Sequence, residues 1–143
     1  HERAGSSHII HLHGELTKVC SSRDPHNPHY IKELKPEEYE VKMGDKAGDG
    51  TQLRHFIVWF GEAVPEIETA IQYVEKADIF VIIGTSLNVY PAAGLLHYVP
   101  RGAEVYLIDP KPVDTHTSRS IHVLRKGASE GVEELKQLLI PAP

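Results

Sequence analysis

The stretch Ala77-Asp78-Ile79-Phe80-Val81-Ile82-Ile83-Gly84-Thr85-Ser86 decides the reading of this chain. Ile79 to Ile83 run apolar without a polar break and stop at a small, hydroxyl-bearing turn. An uninterrupted apolar run of this kind predicts a strand buried on both faces, which is the parallel-sheet situation. Gly84 lets another group approach the backbone closely, and Thr85 and Ser86 supply hydroxyls. In an open α/β sheet the ligand sits outside the carboxyl ends of the strands, so a nucleotide is expected at Gly84-Thr85-Ser86.

The flanking segments support a parallel sheet. Upstream, residues 65–76 fit a helix: Pro65 suits the first turn, acidic residues follow, and Ile67, Ile71 and Val74 recur at helical spacing. Downstream, Pro91 opens a second short helix with Ala92, Leu95 and Leu96 on its buried face. Residues 104–108 (EVYLI) and 121–124 (IHVL) read as further strands, and 129–140 as a last helix with Ser129 as N-cap. Strands alternating with helices indicate βαβ units and a Rossmann-like sheet. Nearer the start, 8–12 (HIIHL) and 55–60 (HFIVWF) are strand candidates. Between them, Thr17 to Gln52 is rich in Pro and Gly and reads as an irregular excursion, with one short helix starting after Pro36.

The totals bound the function. A chain of 143 residues is long enough for one domain with a real core. The formal net charge is -5 and no Lys/Arg cluster stands out, which argues against a nucleic acid or an anionic membrane as partner. The single cysteine, Cys20, cannot form an internal disulfide, which fits a reducing, cytoplasmic setting. No apolar stretch approaches the roughly 20 residues that span a bilayer, and no signal peptide opens the chain.

Three groups of residues could carry chemistry. The strand ends Gly84-Thr85-Ser86, Asp109-Pro110 and Gly127-Ala128-Ser129 would share one edge of a parallel sheet and could line a nucleotide site, or they are ordinary strand-to-helix turns. No G-x-G-x-x-G or Walker A run is present. His8, His11 and His13 would share one face of a strand, and His13 precedes Gly14, which would leave room for a substrate beside the ring. Imidazole exchanges a proton near neutral pH, so His13 is a candidate general base; metal binding by the three is the rival reading. Val58-Trp59-Phe60-Gly61-Glu62 places the only Trp beside a Phe and a Gly, which suits either core packing or an apolar channel with exposed backbone.

Taken together, these segments resemble the sirtuins, the NAD-dependent protein deacylases, in a bacterial-type form. The resemblance runs over nearly the whole chain. His1-Glu2-Arg3-Ala4-Gly5-Ser6 looks like the tail of the family's Q-N-x-D-x-L-H-x-x-A-G segment. His11-Leu12-His13-Gly14-Glu15 resembles its catalytic histidine motif, Ile57 to Glu62 its substrate-channel motif, and Gly84 to Ala92 its G-T-S-L-x-V-x-P-A segment. The resemblance implies His13 as general base. It implies NAD as cofactor, contacted by Gly84, Thr85, Ser86, Asp109, Pro110, Lys111 and Ala128. It implies an acylated lysine of a protein or peptide as substrate. Val58 would offer its carbonyl, Trp59 and Phe60 would wall the channel, and Gly61-Glu62 with Leu87, Asn88 and Val89 would flank the peptide as two edge strands. The implied reaction has the acyl oxygen attack the ribose carbon that carries nicotinamide. Nicotinamide leaves, and a ribose hydroxyl deprotonated by the histidine takes up the acyl group. The products are free lysine and O-acyl-ADP-ribose.

This chain departs from the family pattern in three places. Most sirtuins carry two C-x-x-C pairs where this chain has only Cys20; Cys20 with His26 and His29 falls short of a Cys₄ or Cys₃His set, so no metal is expected. The ribose-contacting position, often Asn, is Asp109. The family's amino-terminal half, with its G-A-G-x-S loop, is not in the sequence. The expected organisation is therefore the carboxyl-terminal part of a Rossmann-like parallel sheet with helices, plus an irregular small module in place of a zinc ribbon. Residues 1–16 would end the cofactor segment and carry the catalytic histidine strand, 17–53 would be the small module, and 54–143 the NAD-binding part. The isolated chain would be inactive, the missing amino-terminal segment of the same protein being its partner, and the sheet would show an unpaired edge. Readings from other classes are a non-catalytic NAD or ADP-ribose binding module, or an acyl-lysine peptide binding module.

Overall fold

A computed structural model describes residues 1–35 and 37–140. The chain divides into two compact units, His1–Glu66 and Ile67–Pro143.

The second unit is built on its central strand. β4 (Ile79–Ile83), β5 (Glu104–Ile108) and β6 (His122–Leu124) form a sheet in the order β4-β5-β6. Both pairings are parallel, with Ile83 opposite Ile108 and Ile108 opposite Leu124. Val105 to Ile108 are all buried, so the strand covered on both faces is β5. The run that decides the fold is instead an edge strand: β4 has only β5 beside it among the described residues, and Ile79 and Ile83 are exposed. Apolar continuity signals a parallel sheet, but it does not tell a central strand from an edge.

Alternate residues of β5 serve the two faces, as the two-residue period of a strand requires. Val105 and Leu107 pack with Val74, Ile82, Leu96 and Val99, which brings α1 (Ile67–Val74) and the 3-10 segment Ala92–Tyr98 onto one side. Tyr106 and Ile108 pack with Leu135 of α2 (Ala128–Leu139) on the other. The result is a helix–sheet–helix layering. Gly131 is buried where α2 crosses β5; a Cβ there would come within 2.2 Å of Ile108 Cγ2. The N-cap of α2 is Gly127, in place of the expected Ser129, and no side chain caps it.

The first unit differs more from expectation. Residues 8–12 form no strand. The chain instead turns at His11, whose carbonyl accepts from Gly14 N–H at 3.0 Å, and then enters β1 (Gly14–Ser21). β1 sits between β2 (Lys32–Glu33) and β3 (Leu53–Ile57) in an antiparallel sheet. The segment from Thr17 to Gln52 thus contributes strands, although most of it is loop. β1 escapes pattern reading because its register against β3 breaks between Glu15 and Val19, leaving Leu16 and Thr17 exposed. The helix expected after Pro36 is absent from residues 37–40, and Pro36 itself lies outside the described residues. β3 ends at Ile57, so Val58, Trp59 and Phe60 leave the strand.

Buried Ser21 closes the far end of this unit. Its hydroxyl donates to Asp49 Oδ2 at 2.7 Å, lies 3.0 Å from Thr51 Oγ1, and accepts the N–H groups of Arg23 and Asp24. Thr51 in turn donates its hydroxyl and its N–H to Asp49 Oδ1. These bonds tie the end of β1 to the 47–51 turn and hold the Asp49 carboxyl down at about 2, first through Ser21 and then through Thr51. Among the described residues no helix is long and apolar enough to cross a membrane.

Candidate functional site

In the first unit, the antiparallel ladder of β1 and β3 brings His13 and Val58 together. The pairing runs from Ser21 opposite Leu53 to Gly14 opposite Ile57 and continues one bond further, from Val58 N–H to the His13 carbonyl at 3.0 Å. The histidine and the aromatic segment, 45 positions apart in sequence, are therefore neighbours through main chain. His13 is exposed, on the turn before β1 rather than on a strand. Gly14 serves a different purpose from the one its position suggests. Its φ is 83°, and a Cβ would fall 2.2 Å from the Phe56 carbonyl oxygen, so the missing side chain makes room for β3.

Trp59 is 54% exposed and Phe60 94%, which excludes core packing for the pair within this chain. Gly61 has a φ of 90°, and Glu62 N–H donates to the Trp59 carbonyl at 3.0 Å, closing a tight turn. Among the described residues nothing donates to the Val58 carbonyl. The expected edge strands at Gly61-Glu62 and at Leu87–Val89 do not form: the first is this turn, and the second is irregular, with Leu87 at φ 55°. Left-handed backbone at these positions is incompatible with a continuous extended run.

His8 and His11 are spent locally. His8 Nδ1 lies 3.1 Å from Ser7 Oγ. His11 Nε2 sits 2.8 Å from Glu2 Oε1 and 3.7 Å from Glu15 Oε1. Glu2, His11 and Glu15 gather potential ligand atoms within 4.8 Å, a grouping that sequence spacing does not reveal. Lys18 already satisfies Glu15 at 2.8 Å. Cys20, His26 and His29 do not assemble into a ligand set among the described residues. Cys20 is buried with its Sγ 3.8 Å from the His55 carbonyl, and burial pushes its thiol up.

In the second unit, the three strand ends lie side by side at the carboxyl edge of the sheet. Gly84 N–H donates to the Ile108 carbonyl at 3.0 Å, and Asp109 N–H to the Leu124 carbonyl at 3.3 Å. Gly84 has φ 62° and open space where a Cβ would stand. Thr85 Oγ1 accepts from Leu87 N–H at 3.2 Å, which folds the turn back on itself. Ser86, Asn88 and Val89 are exposed, while Leu87 packs against the core. Asp109 is half-buried; its Oδ1 accepts from Lys111 N–H at 2.8 Å, which fixes the carboxylate at the strand end. Pro110, Lys111 and Ala128 are exposed beside it, and Ala128 begins α2, whose first turn has no side-chain cap. This edge fits a nucleotide: a glycine open to close approach, an acceptor for ribose hydroxyls, and free helix-terminal N–H groups for phosphate.

Comparison with known proteins agrees with this geometry. A family model described as Sir2 family matches residues 1–91. The NAD-dependent protein deacylase of Bacteroides thetaiotaomicron is 96% identical over 143 residues, which is all of this chain and 61% of that protein. A solved Sir2 homologue in complex with NAD superposes with a TM-score of 0.77 at 33% identity, covering 97% of this chain and 54% of that one. A Sir2 protein bound to a propionylated peptide superposes with a TM-score of 0.75 at 25% identity, covering 96% of this chain and 59% of that one. The chain spans about three fifths of the length of the curated relatives it matches.

Proposed function

The chain belongs to the Sir2 family, and from that premise we propose that it forms the acyl-lysine side and the adenosine side of an NAD-dependent protein-lysine deacylase. The observation that carries this reading is the Val58 N–H to His13 carbonyl bond, which sets a general-base candidate next to two exposed aromatic rings and a carbonyl with no donor among the described residues.

In this account the Val58 carbonyl accepts the amide N–H of the acyl-lysine, and the Trp59 and Phe60 rings cover the side chain and exclude water. Gly61, Glu62, Leu87, Asn88 and Val89 meet the peptide through main chain. NAD, when bound, would supply a ribose carbon that takes the acyl oxygen in exchange for nicotinamide, and the ribose hydroxyl that receives the acyl group. His13 would take the proton from that hydroxyl on its imidazole nitrogen, so that the hydroxyl oxygen can bond to the acyl carbon; the lysine amine then leaves with a proton, and one water supplies the ester carbonyl oxygen in place of the acyl oxygen now on the ribose carbon. Asp109 holds ribose hydroxyls; Gly84, Thr85, Ser86, Pro110, Lys111 and Ala128 bind the adenosine and phosphate parts. Activity belongs to the whole protein, this chain together with the remainder its relatives carry.

We also propose that residues 17–53 act as a zinc-free module. Ser21, Asp49 and Thr51 close it, and Cys20 is a free, buried thiol beside the His55 carbonyl. A lone reduced cysteine fits a cytoplasmic setting, and the absence of a basic cluster fits a protein rather than a nucleic-acid substrate.

The test is the His13→Ala variant of the whole protein, assayed on an acetyl-lysine peptide with NAD. Loss of a general base lowers turnover about a hundredfold or more. Unchanged deacylation would remove His13 from the chemistry. Retained peptide binding with no turnover in the wild type would favour a binding module.

A further inference from the structure

Arg54, in β3, reaches across the turn that follows its own strand. Its Nη1 donates to Glu62 Oε1 at 2.5 Å and its Nη2 to Glu62 Oε2 at 2.9 Å. The same Nη2 donates to the Ile57 carbonyl at 2.7 Å. Glu62 Oε2 also accepts the Trp59 N–H at 2.9 Å. The Arg54 side chain is 19% exposed and that of Glu62 40%, so the pair is partly withdrawn from water. Two parallel bonds between guanidinium and carboxylate fix direction as well as distance, which a lysine cannot reproduce.

Every one of these bonds closes within residues 54–62. The network joins no distant elements; it shapes one turn. On either side of Val58 the main chain is held: Arg54 takes the Ile57 carbonyl, Glu62 takes the Trp59 N–H, and the His13 carbonyl takes the N–H of Val58 itself. Between Ile57 and Trp59, the main-chain group left without a partner among the described residues is the Val58 carbonyl.

We propose that Arg54 and Glu62 are positioning residues: their ion pair presets the Val58–Gly61 turn so that the Val58 carbonyl and the Trp59 and Phe60 rings meet an acyl-lysine already arranged, while neither charged group touches it. This rests on the acyl-lysine reading above and adds to it. A preset turn lowers the ordering cost of binding, so loosening it weakens the peptide without altering the nucleotide edge, which lies in the other unit.

The test compares Glu62→Gln, which keeps an acceptor for Trp59 N–H but loses the charge, with Arg54→Lys, which keeps the charge but loses the fork. In the whole protein both should raise the KM for an acetyl-lysine peptide about tenfold, the size of one charge-assisted hydrogen bond, and leave the KM for NAD unchanged. In this chain, where Trp59 is the only tryptophan, both should make its emission more accessible to acrylamide and lower its anisotropy. An unchanged peptide KM in both variants overturns the proposal. So does a parallel rise in both KM values with a lowered Tm, which is plain destabilisation. If the wild-type protein shows no NAD-dependent deacylation, the parent reading fails; the fluorescence arm then still decides whether the pair holds the turn, and unchanged quenching sinks it.

Discussion

A Cβ at Gly14 would lie 2.2 Å from the Phe56 carbonyl oxygen and 2.9 Å from Ile57 Cα, both backbone atoms that cannot swing aside. With φ at 83° the site is also closed to ordinary L-residues. Gly14→Ala should cost about 3 kcal/mol or more, combining left-handed strain with a backbone clash. It should also break the ladder that joins His13 to Val58; a variant with unchanged urea midpoint would contradict the packing described. The carboxylates make a second prediction at this scale. Asp49 and Glu62 are each held at about 2, below their ordinary 3.8 and 4.5, Asp49 by Ser21 and Thr51 and Glu62 by Arg54 and the Trp59 N–H. A lowered folded-state value means that each contributes stability present above its ordinary value and lost as pH falls toward the folded one. Urea unfolding followed by Trp59 emission should therefore weaken between about pH 4.5 and 2, and less steeply in Asp49→Asn. A pH-independent midpoint over that range would refute the assignment. The residues that do this work were only partly legible. His13 and Val58 stand in recognisable motifs, but Arg54 and Glu62 are eight apart across a strand end, where no spacing rule pairs them. Ser21, Asp49 and Thr51 are ordinary loop residues until the fold brings them together.

Among the elements, legibility followed burial. β5 was read to the residue from EVYLI because both its faces are covered, which leaves a clean apolar run. β1 was not, because a register break and an exposed Leu16 remove its alternation. The apolar run of β4 predicts a strand buried on both faces, but Ile79 and Ile83 are exposed, because β4 lies at the edge of the sheet among the described residues. The start of α2 shifted from Ser129 to an uncapped Gly127, where chain geometry overrode the better capping residue. α2 also carries a glycine that helix propensity disfavours. Gly131→Ala would raise helix propensity by about 1 kcal/mol, yet it drives a methyl into Ile108 Cγ2 at 2.2 Å. Overpacking should win, and the variant should be less stable by about 1–3 kcal/mol. A raised Tm would show that α2 can lift from β5 at little cost.

At the scale of the whole molecule, the two units carry different groups. The first holds a base candidate, exposed aromatics and the Val58 carbonyl, which has no donor among the described residues; the second holds a nucleotide-type strand edge. The chain covers about three fifths of its curated relatives. The family could be recognised because its motifs stand in order along residues 1–91, the stretch that the family model matches. The hydrogen-bonded clasp of Ser21, Asp49 and Thr51 matches no motif, since its members lie up to 30 residues apart. The most direct measurement is a product analysis of the whole protein incubated with NAD and an acetyl-lysine peptide. The account predicts equimolar nicotinamide, deacetylated peptide and O-acetyl-ADP-ribose, all lost together in His13→Ala. Deacetylation that proceeds without NAD, or NAD cleavage that leaves the peptide acylated, would contradict it.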